Sequence, residues 1–448
     1  MSYLGLLPPI LSVIRKMYCT CLNSNIGQLT EEVIPSDYKK LLSITQKDNV
    51  WINKVLRGMH VMSEGNEVVE AIVTPYGPSP GYFSELAYLK VKYKYENDPK
   101  NPPTDTIVKF LPIGFDKRLV LDLISLPKTE CLMYYHFLRD HEKHGLPPPP
   151  FKSPKILYAD FCSKTNSALL IMERIDVTLG DQRNPASLSQ ARASVKVCAK
   201  LHSYFWANSH PMSNLLTDPA NPICLIVALK MKTNIKPMLK MCKEVTGFVP
   251  SDRLGRALST SFPDGFYKLL LWCCESPFMT VCHGDARIDN LFFETLESGE
   301  LEAGLFDWAQ AMVAPCFYDI SWALSNSFSI EFHDAHEEEL LELYWESLLG
   351  GLGEKKSAVL SKEEFMQGYA LSQVVSVSKC VIAYETIMKD KKAADFKHKQ
   401  ALVVNGMVNA LKVMERHNAI DALAQVISGN TKSKSKGSNK VAPETSSQ

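Results

Sequence analysis

CHGDARIDN (residues 282–290), followed by FDW (306–308), sets Asp285, Asn290 and Asp307 in a telling order. An oriented carboxylate can hold an acceptor hydroxyl, and an amide oxygen and a second carboxylate are hard ligands for a divalent cation. A base followed by two magnesium ligands is the pattern of phosphoryl transfer. HGD alone would carry little weight, because His283 could be a core histidine and Asp285 a helix cap. The joint spacing carries it: HxD, an Asn five residues on, a hairpin, then FDW.

The hairpin lies in between. LFFET and LEAGLF flank ESGE, with Gly299 at the turn, so Asn290 and Asp307 come from opposite ends of one β-ribbon. Asp285 follows the strand-like run FMTVC. Arg287, two residues after the expected base, is placed either to neutralise a migrating phosphoryl group or to pair with Asp289. Asp319 in YDISWAL begins a helical segment, where an N-cap and a bond to the catalytic loop are equally good readings. Trp308 and Gln310 are expected to shape the loop.

Further upstream, NEVVEAIVT, YFSELAYLKVKYKY and DTIVKFLP are rich in β-branched and aromatic residues and are separated by turn formers, which predicts an antiparallel sheet. Lys109, inside TIVKF, is the candidate cation for the phosphates. Glu130, on the helical text from Leu126 to His141, is its candidate partner, with Lys117, Arg118 and Asp122 as competitors in the intervening loop. Four prolines at 147–150 stop that helix. ILYADF and SALLIMERI complete a small mixed lobe ending near Asp176. Beyond it helical periodicity dominates, over Leu188–Trp206, 222–243, 335–350 and 362–415. The fold class expected is therefore α+β, in four parts: a helical extension (1–60), a β-rich lobe (61–176), a helical lobe (177–428) and a Ser/Lys/Gly-rich disordered tail (429–448).

GPSPG at 77–81 matches the G-x-S-x-G pattern of a hydrolase elbow, but the residue after the serine is Pro80, which lacks the N–H an oxyanion hole needs. A loop over phosphates, with Ser79 and Gly81 as contacts, is the better reading, beside an ordinary hairpin connection. GLGEKKS at 351–357 lacks the register of a P-loop.

Bulk properties exclude some alternatives. Formal net charge is zero and no basic-aromatic patch stands outside the tail, so nucleic acid is not an expected partner. The twelve cysteines have no metal spacing, and those in apolar runs, Cys198, Cys224 and Cys316, read as buried thiols of a reducing, cytoplasmic protein. The apolar run Tyr3–Ile14 is too short to span a bilayer, so no integral membrane association is expected.

CHGDARIDNLFF with LFDW, the hinge-like ALLIMERI and the helix text AKLHSYFW together resemble the aminoglycoside phosphotransferase-like superfamily, and within it the ecdysteroid-kinase-like, choline-kinase-like group, over residues 65–415. RIDN stands where that group commonly carries a Trp-bearing segment, and is closer to members fused to acyl-CoA dehydrogenases. The resemblance implies a protein-kinase-like two-lobe fold, with a small β N-lobe binding ATP against a larger helical C-lobe. It makes Asp285 the base, Asn290 and Asp307 the magnesium ligands, Lys109 the phosphate contact oriented by Glu130, and Met172, Glu173 and Ile175 part of the adenine hinge. Leu201, His202, Phe205 and Trp206 would back the catalytic loop. The segment 211–249, methionine-rich at 229–241, would form part of the acceptor wall, although helix packing explains the same residues.

The function expected is an ATP- and Mg2+-dependent kinase acting on a small-molecule hydroxyl. The alternative is a catalytically silent nucleotide-binding pseudokinase or interaction protein of the same fold. A protein kinase is disfavoured, because FDW runs within a dozen residues to Asp319 and a helix, leaving little room for a peptide-docking loop.

Overall fold

Alternation in DTIVKF organises the first lobe: Thr106, Val108 and Phe110 are buried on one face, and Lys109 falls on the other. The computed structural model describes residues 34–35, 37–77, 84–110, 126–162, 167–211, 213–217, 223–353, 360–389 and 391–428. Ser79, Gly81, Lys117, Arg118, Asp122, the Tyr3–Ile14 run and the 429–448 tail lie outside the described residues.

Two helices come first, α1 (Tyr38–Lys47) and α2 (Val50–Gly58), with the Asp37 carboxylate accepting from the Lys40 N–H at the start of α1. Strands β1 (Val68–Pro75), β2 (Glu85–Tyr93), β3 (Asp105–Phe110), β4 (Ile156–Cys162) and β5 (Ser167–Glu173) form an antiparallel sheet in the order β1-β2-β3-β5-β4. Leu41, Trp51, Ile52 and Val55 pack on the face that carries Val108, Phe110, Leu169 and Ile171. Each such side chain, when fully buried, stabilises the lobe by about 2 kcal/mol. Trp51 meets Tyr158 edge-on, with ring centroids 6.1 Å apart.

The outer strand β1 is not left as a bare edge. Asn53 of α2 accepts from the Val68 N–H at 2.7 Å and donates to the Val68 carbonyl at 2.9 Å, while Asn49 donates to the Val69 carbonyl at 2.9 Å. Against the opposite face of the sheet lies α3 (Leu126–Leu132). The single helix expected over Leu126–His141 instead widens into a π-turn over Met133–Arg139, closed by the Asp140 N–H on the Tyr135 carbonyl at 3.0 Å, before a 3₁₀ turn at His141–His144.

The second lobe opens with the short β6 (Thr178–Leu179) and α4 (Leu188–Tyr204), whose start is fixed by a reciprocal cap between Ser187 and Gln190. Helices α5 (Ile223–Thr246), α6 (Asp252–Ser259) and α7 (Ser261–Cys274) precede β7 (Met279–Cys282). The hairpin β8 (Leu291–Thr295) and β9 (Leu301–Leu305) turns at Gly299, whose φ is +83°. β10 (Met312–Pro315) pairs antiparallel with β7. The remainder is helical: α8 (Phe317–Ser327), α9 (Ile330–Leu352), α10 (Lys362–Lys389), α11 (Phe396–Arg416) and α12 (Ala419–Ser428). The helical text read as one span at 362–415 thus divides between α10 and α11.

Met231, Met238 and Met241 of α5 are buried among Phe262, Phe266, Val374 and Met407, so the methionine-rich stretch spends these side chains on helix packing and not on a wall for an acceptor. Cys198 and Cys316 are buried free thiols. Among the described residues no helix is long and apolar enough to cross a membrane.

Replacing Asn53 with Leu removes both bonds to Val68. Urea unfolding should show a loss of about 1–3 kcal/mol, whereas Asn53→Asp, which keeps the acceptor, should lose less.

Candidate active site

The chain leaves β7 into His283-Gly284-Asp285, and a single buried carboxylate fixes its path. Asp319, in the first turn of α8, accepts from the His283 N–H at 2.5 Å and the Gly284 N–H at 2.7 Å. It also lies 3.1 Å from His202 Nε2, whose other ring nitrogen is 2.8 Å from the Tyr344 hydroxyl. Of the two readings open for Asp319, the bond to the loop is the one present; Cys316 precedes the helix instead. Burial acts to raise its pKa, but the hydrogen bond and charge of His202, with the loop amides, hold the carboxyl below its ordinary value.

Gly284 is required twice over. Its φ is +80°, and a Cβ there would meet the Gln310 carbonyl oxygen at 1.9 Å. The resulting turn delivers the Asp285 carboxylate to three partners. Trp322 Nε1 donates to Oδ1 at 2.6 Å, Gln310 Nε2 donates to Oδ2 at 3.1 Å, and Arg287 Nε lies 3.4 Å from Oδ1. Burial pushes Asp285 upward, yet Arg287, Lys379 and the Trp322 N–H together hold it below the usual carboxylate range. Arg287 also lies 4.0 Å from Asp289, so the pairing with Asp289 considered for it is within reach.

Asn290 donates its amide N–H to the Asp285 carbonyl at 2.8 Å, which commits the nitrogen end and leaves the amide oxygen as its other polar group. Leu291 pairs with Leu305 in the hairpin, and the Phe306 N–H bonds the Asn290 carbonyl at 3.1 Å, so Asn290 and Asp307 emerge together from the open end. Asp307 has a φ of 65°, left-handed backbone that an Asp tolerates better than most residues. Its Oδ1 is 2.8 Å from Lys109 Nζ, which in turn is 2.7 Å from Glu130 Oε1. The expected Lys109–Glu130 pair is therefore formed, from β3 and α3, and it reaches across to the hairpin of the second lobe.

Two carboxylates raise the Lys109 pKa against the opposing effect of burial. Burial dominates at Glu130 and lifts it to about 7, with Lys109 opposing, while Asp307 is held low by Lys109 despite its own burial. Lys109 is thus shared between one carboxylate that carries its charge readily and one that does not.

Met172 and Glu173 end β5, opposite Ile107 and Thr106 of β3, and Ile175 follows the strand. Glu173 Oε1 accepts from the Lys155 N–H at 2.7 Å. On the sheet face that carries Lys109, a cavity of about 270 Å³ is lined by Ile72, Thr74, Tyr88, Asp105 and Arg174, with the Arg174 guanidinium 5.3 Å over the Tyr88 ring.

Two residues at the site were missed by sequence reasoning. Trp322 stands one helical turn after Asp319 on α8, a spacing that puts both on one face and could have revealed it. Lys379 of α10 donates to the Gly284 carbonyl and lies 4.4 Å over the Trp322 ring. Its signal was a lone lysine in the apolar text VVSVSKCVI.

A family model, the ecdysteroid kinase-like family, matches residues 78–355. The chain belongs to that family. The match includes the RIDN segment that departs from the group's common text. Among solved structures, this member is similar to a choline kinase from Cryptosporidium parvum (13% identity, 87% of this chain and 99% of that one, TM-score 0.48). It is also similar to an ethanolamine kinase from Plasmodium vivax (12% identity, 87% and 98% covered, TM-score 0.41) and a choline kinase from Streptococcus pneumoniae (15% identity, 79% and 93% covered, TM-score 0.36). No curated protein matches the chain.

Asp319→Asn should lower stability by about 2–4 kcal/mol in urea unfolding, because it strips the charge from two loop amides and His202. The linkage at Glu130 has the opposite character. A carboxyl raised in the folded state from 4.5 to about 7 binds more protons there than when unfolded, so stability falls as pH rises through that window. Unfolding series between pH 4 and 8 should show this fall in wild type and a shallower one in Glu130→Gln, because Asp160, which burial raises to about 6, adds a slope of the same sign.

Proposed function

We propose that this ecdysteroid kinase-like protein transfers the γ-phosphoryl group of ATP to the hydroxyl of a small molecule, with Asp285 as the base. The observation that carries this reading is the joint placement of Asp285, Asn290 and Asp307 around one turn and one hairpin, with Lys109 bonded to Asp307 across the cleft.

The acceptor hydroxyl would bond to the Asp285 carboxylate and lose its proton to it as the new P–O bond forms and the bond to the ADP leaving oxygen breaks. A carboxyl held below its ordinary range is a weak proton sink before the reaction, so its first task is orientation, and it takes the proton late. Trp322 and Gln310 leave the carboxylate little freedom to rotate away. Arg287 stands close enough to Asp285 to meet the charge of the migrating group.

The donor chemistry fits magnesium: an amide oxygen at Asn290, whose nitrogen is already committed, and the Asp307 carboxylate are hard oxygen ligands at the open end of one hairpin. Bound there with ATP, the metal would neutralise phosphate charge. Lys109, steadied by Glu130, is the protein's own cation for the phosphates. The cavity beside Tyr88 and Arg174, next to Met172, Glu173 and Ile175, is the proposed seat of the base and sugar, and Ser79 and Gly81, outside the described residues, are the proposed phosphate contacts.

Purified protein with ATP and magnesium should show slow hydrolysis, and phosphorylation of one or more alcohols in an untargeted screen for ATP-dependent mass gain. Asp285→Asn should reduce turnover by at least about 100-fold with nucleotide binding preserved. Turnover unchanged in that variant would remove Asp285 from the role. Nucleotide-induced thermal stabilisation that ignores magnesium, with no turnover in wild type, would favour the silent binding protein instead.

A further inference from the structure

We propose that Gln182, together with Asp289, positions the Arg287 guanidinium for the γ-phosphoryl group, which makes the turn between β6 and α4 part of the catalytic apparatus. This rests on the kinase reading for the place of the γ-phosphoryl group beside Asp285.

The sheet brings that turn to the loop. Thr178 and Leu179 of β6 pair with Phe293 and Phe292 of β8, and the Gly180 N–H bonds the Leu291 carbonyl at 2.8 Å. A Cβ on Gly180 would meet the Ile288 carbonyl oxygen at 1.9 Å, so only glycine lets the two backbones come this close. Asp181 then folds the turn on itself, accepting from the Arg183 N–H at 2.9 Å and from the Asn184 side-chain amide at 3.0 Å. Gln182 is thereby held against the loop.

Each polar group of the Gln182 side chain has a defined direction. Its Nε2 donates to the Asn326 carbonyl near the end of α8, while the backbone N–H donates to Asp289 Oδ1 at 2.6 Å. With the nitrogen end committed to a carbonyl, the oxygen end can only accept, and it faces Arg287 Nη1 at 3.4 Å. Asp289 Oδ2 lies 4.0 Å from the same nitrogen. A turn that merely tied β6 to α8 would need the bond to Asn326 and nothing at the oxygen end.

The distances around Arg287 show what this hold does. A guanidinium beside a lone carboxylate closes on it with two parallel bonds of about 2.7–2.9 Å. Arg287 does not. Its Nε stays 3.4 Å from Asp285 Oδ1, and its Nη1 is drawn toward Gln182 and Asp289. Asp285 Oδ1 and Oδ2 are meanwhile engaged by Trp322 and Gln310. The cation is therefore spread over three acceptors instead of being spent on the base. An unheld arginine would also lose rotamer freedom on meeting a phosphate, and much of that loss has already been taken here.

The test measures binding of the full chain, by calorimetry in magnesium, to ADP and to AMP-PNP, an ATP analogue that keeps the γ-phosphoryl group without transferring it. The ratio of the two affinities reports the contact to that group. Arg287→Met should move the ratio toward ADP by about tenfold and Gln182→Met by about fivefold. Asp289→Asn keeps an acceptor for the Gln182 N–H, and so the turn; it should move the ratio by about threefold, and it replaces Gln182→Met if that variant does not fold. In the Arg287→Met background either second change should alter the ratio by less than about twofold, because both act through the guanidinium. Effects that add in full in the double variants overturn the assignment. So does a ratio that Arg287→Met leaves unchanged, a ratio indifferent to both Gln182→Met and Asp289→Asn, or binding of neither nucleotide to wild type. The kinase reading fails separately, by absence of ATP turnover in wild type, and that result leaves the nucleotide ratio to be read.

Discussion

One buried carboxylate holds the rest of the site in place. Asp319 accepts from two successive loop amides, and those amides could not otherwise bond within the turn that Gly284 makes at φ +80°. Leaving such N–H groups unpaired in a buried position costs about 1–3 kcal/mol each, so the carboxylate specifies the turn as well as stabilising it. Its place in the first turn of α8 adds the favourable end of the helix dipole. Trp322, a turn further along α8, then holds the Asp285 side chain. Backbone and side chain of the loop are thus both referred to the same helix, and a shift of α8 would move both together.

The Lys109 triad does a different kind of work. Lys109 and Glu130 belong to the first lobe and Asp307 to the hairpin of the second, so the 2.7 and 2.8 Å contacts tie the two lobes at a single ammonium. Buried ion pairs contribute little net stability once desolvation is counted, and this one is better understood as a positional constraint. Its charge balance is informative. One cation faces two carboxylates, and burial already biases Glu130 toward its neutral form. On the proposed reading, a metal bound at Asp307 would compete with Lys109 for that carboxylate and leave the ammonium free to turn toward phosphate oxygens.

The strands were readable because each follows a period of two against a buried face, and the hairpin because ESGE interrupts two such runs. Asp285, Asn290 and Asp307 were readable because they are close in sequence and their spacing is set by that hairpin. The rest depends on contacts between distant segments. Lys379 reaches Gly284 from 95 residues away, and no local pattern records which carbonyl a helix lysine will find. The same limit applied at α5, where the methionines carry a helical period equally suited to a pocket or a core; only the packing of α7, α10 and α11 decides it. The π-turn after α3 had no sequence signal at all, since Met133–Arg139 is ordinary helical text.

The two halves of the site share out their charges differently. Around Asp307 and Glu130 two carboxylates share one cation, Lys109. Around Asp285 two cations stand among three carboxylates: Arg287 lies against Asp285 and Asp289, Lys379 lies near Asp285 and Asp319, and the Asp285 pKa is held low in spite of burial. A lowered pKa weakens a base, so the second cation needs a reason other than proton abstraction. Clamping Gly284 is one such reason, and filling the π-face of Trp322 is another. Both follow from one side chain on α10, and both restrict what can stand against Asp285. The arrangement lowers the basicity of Asp285 and fixes the geometry of its loop.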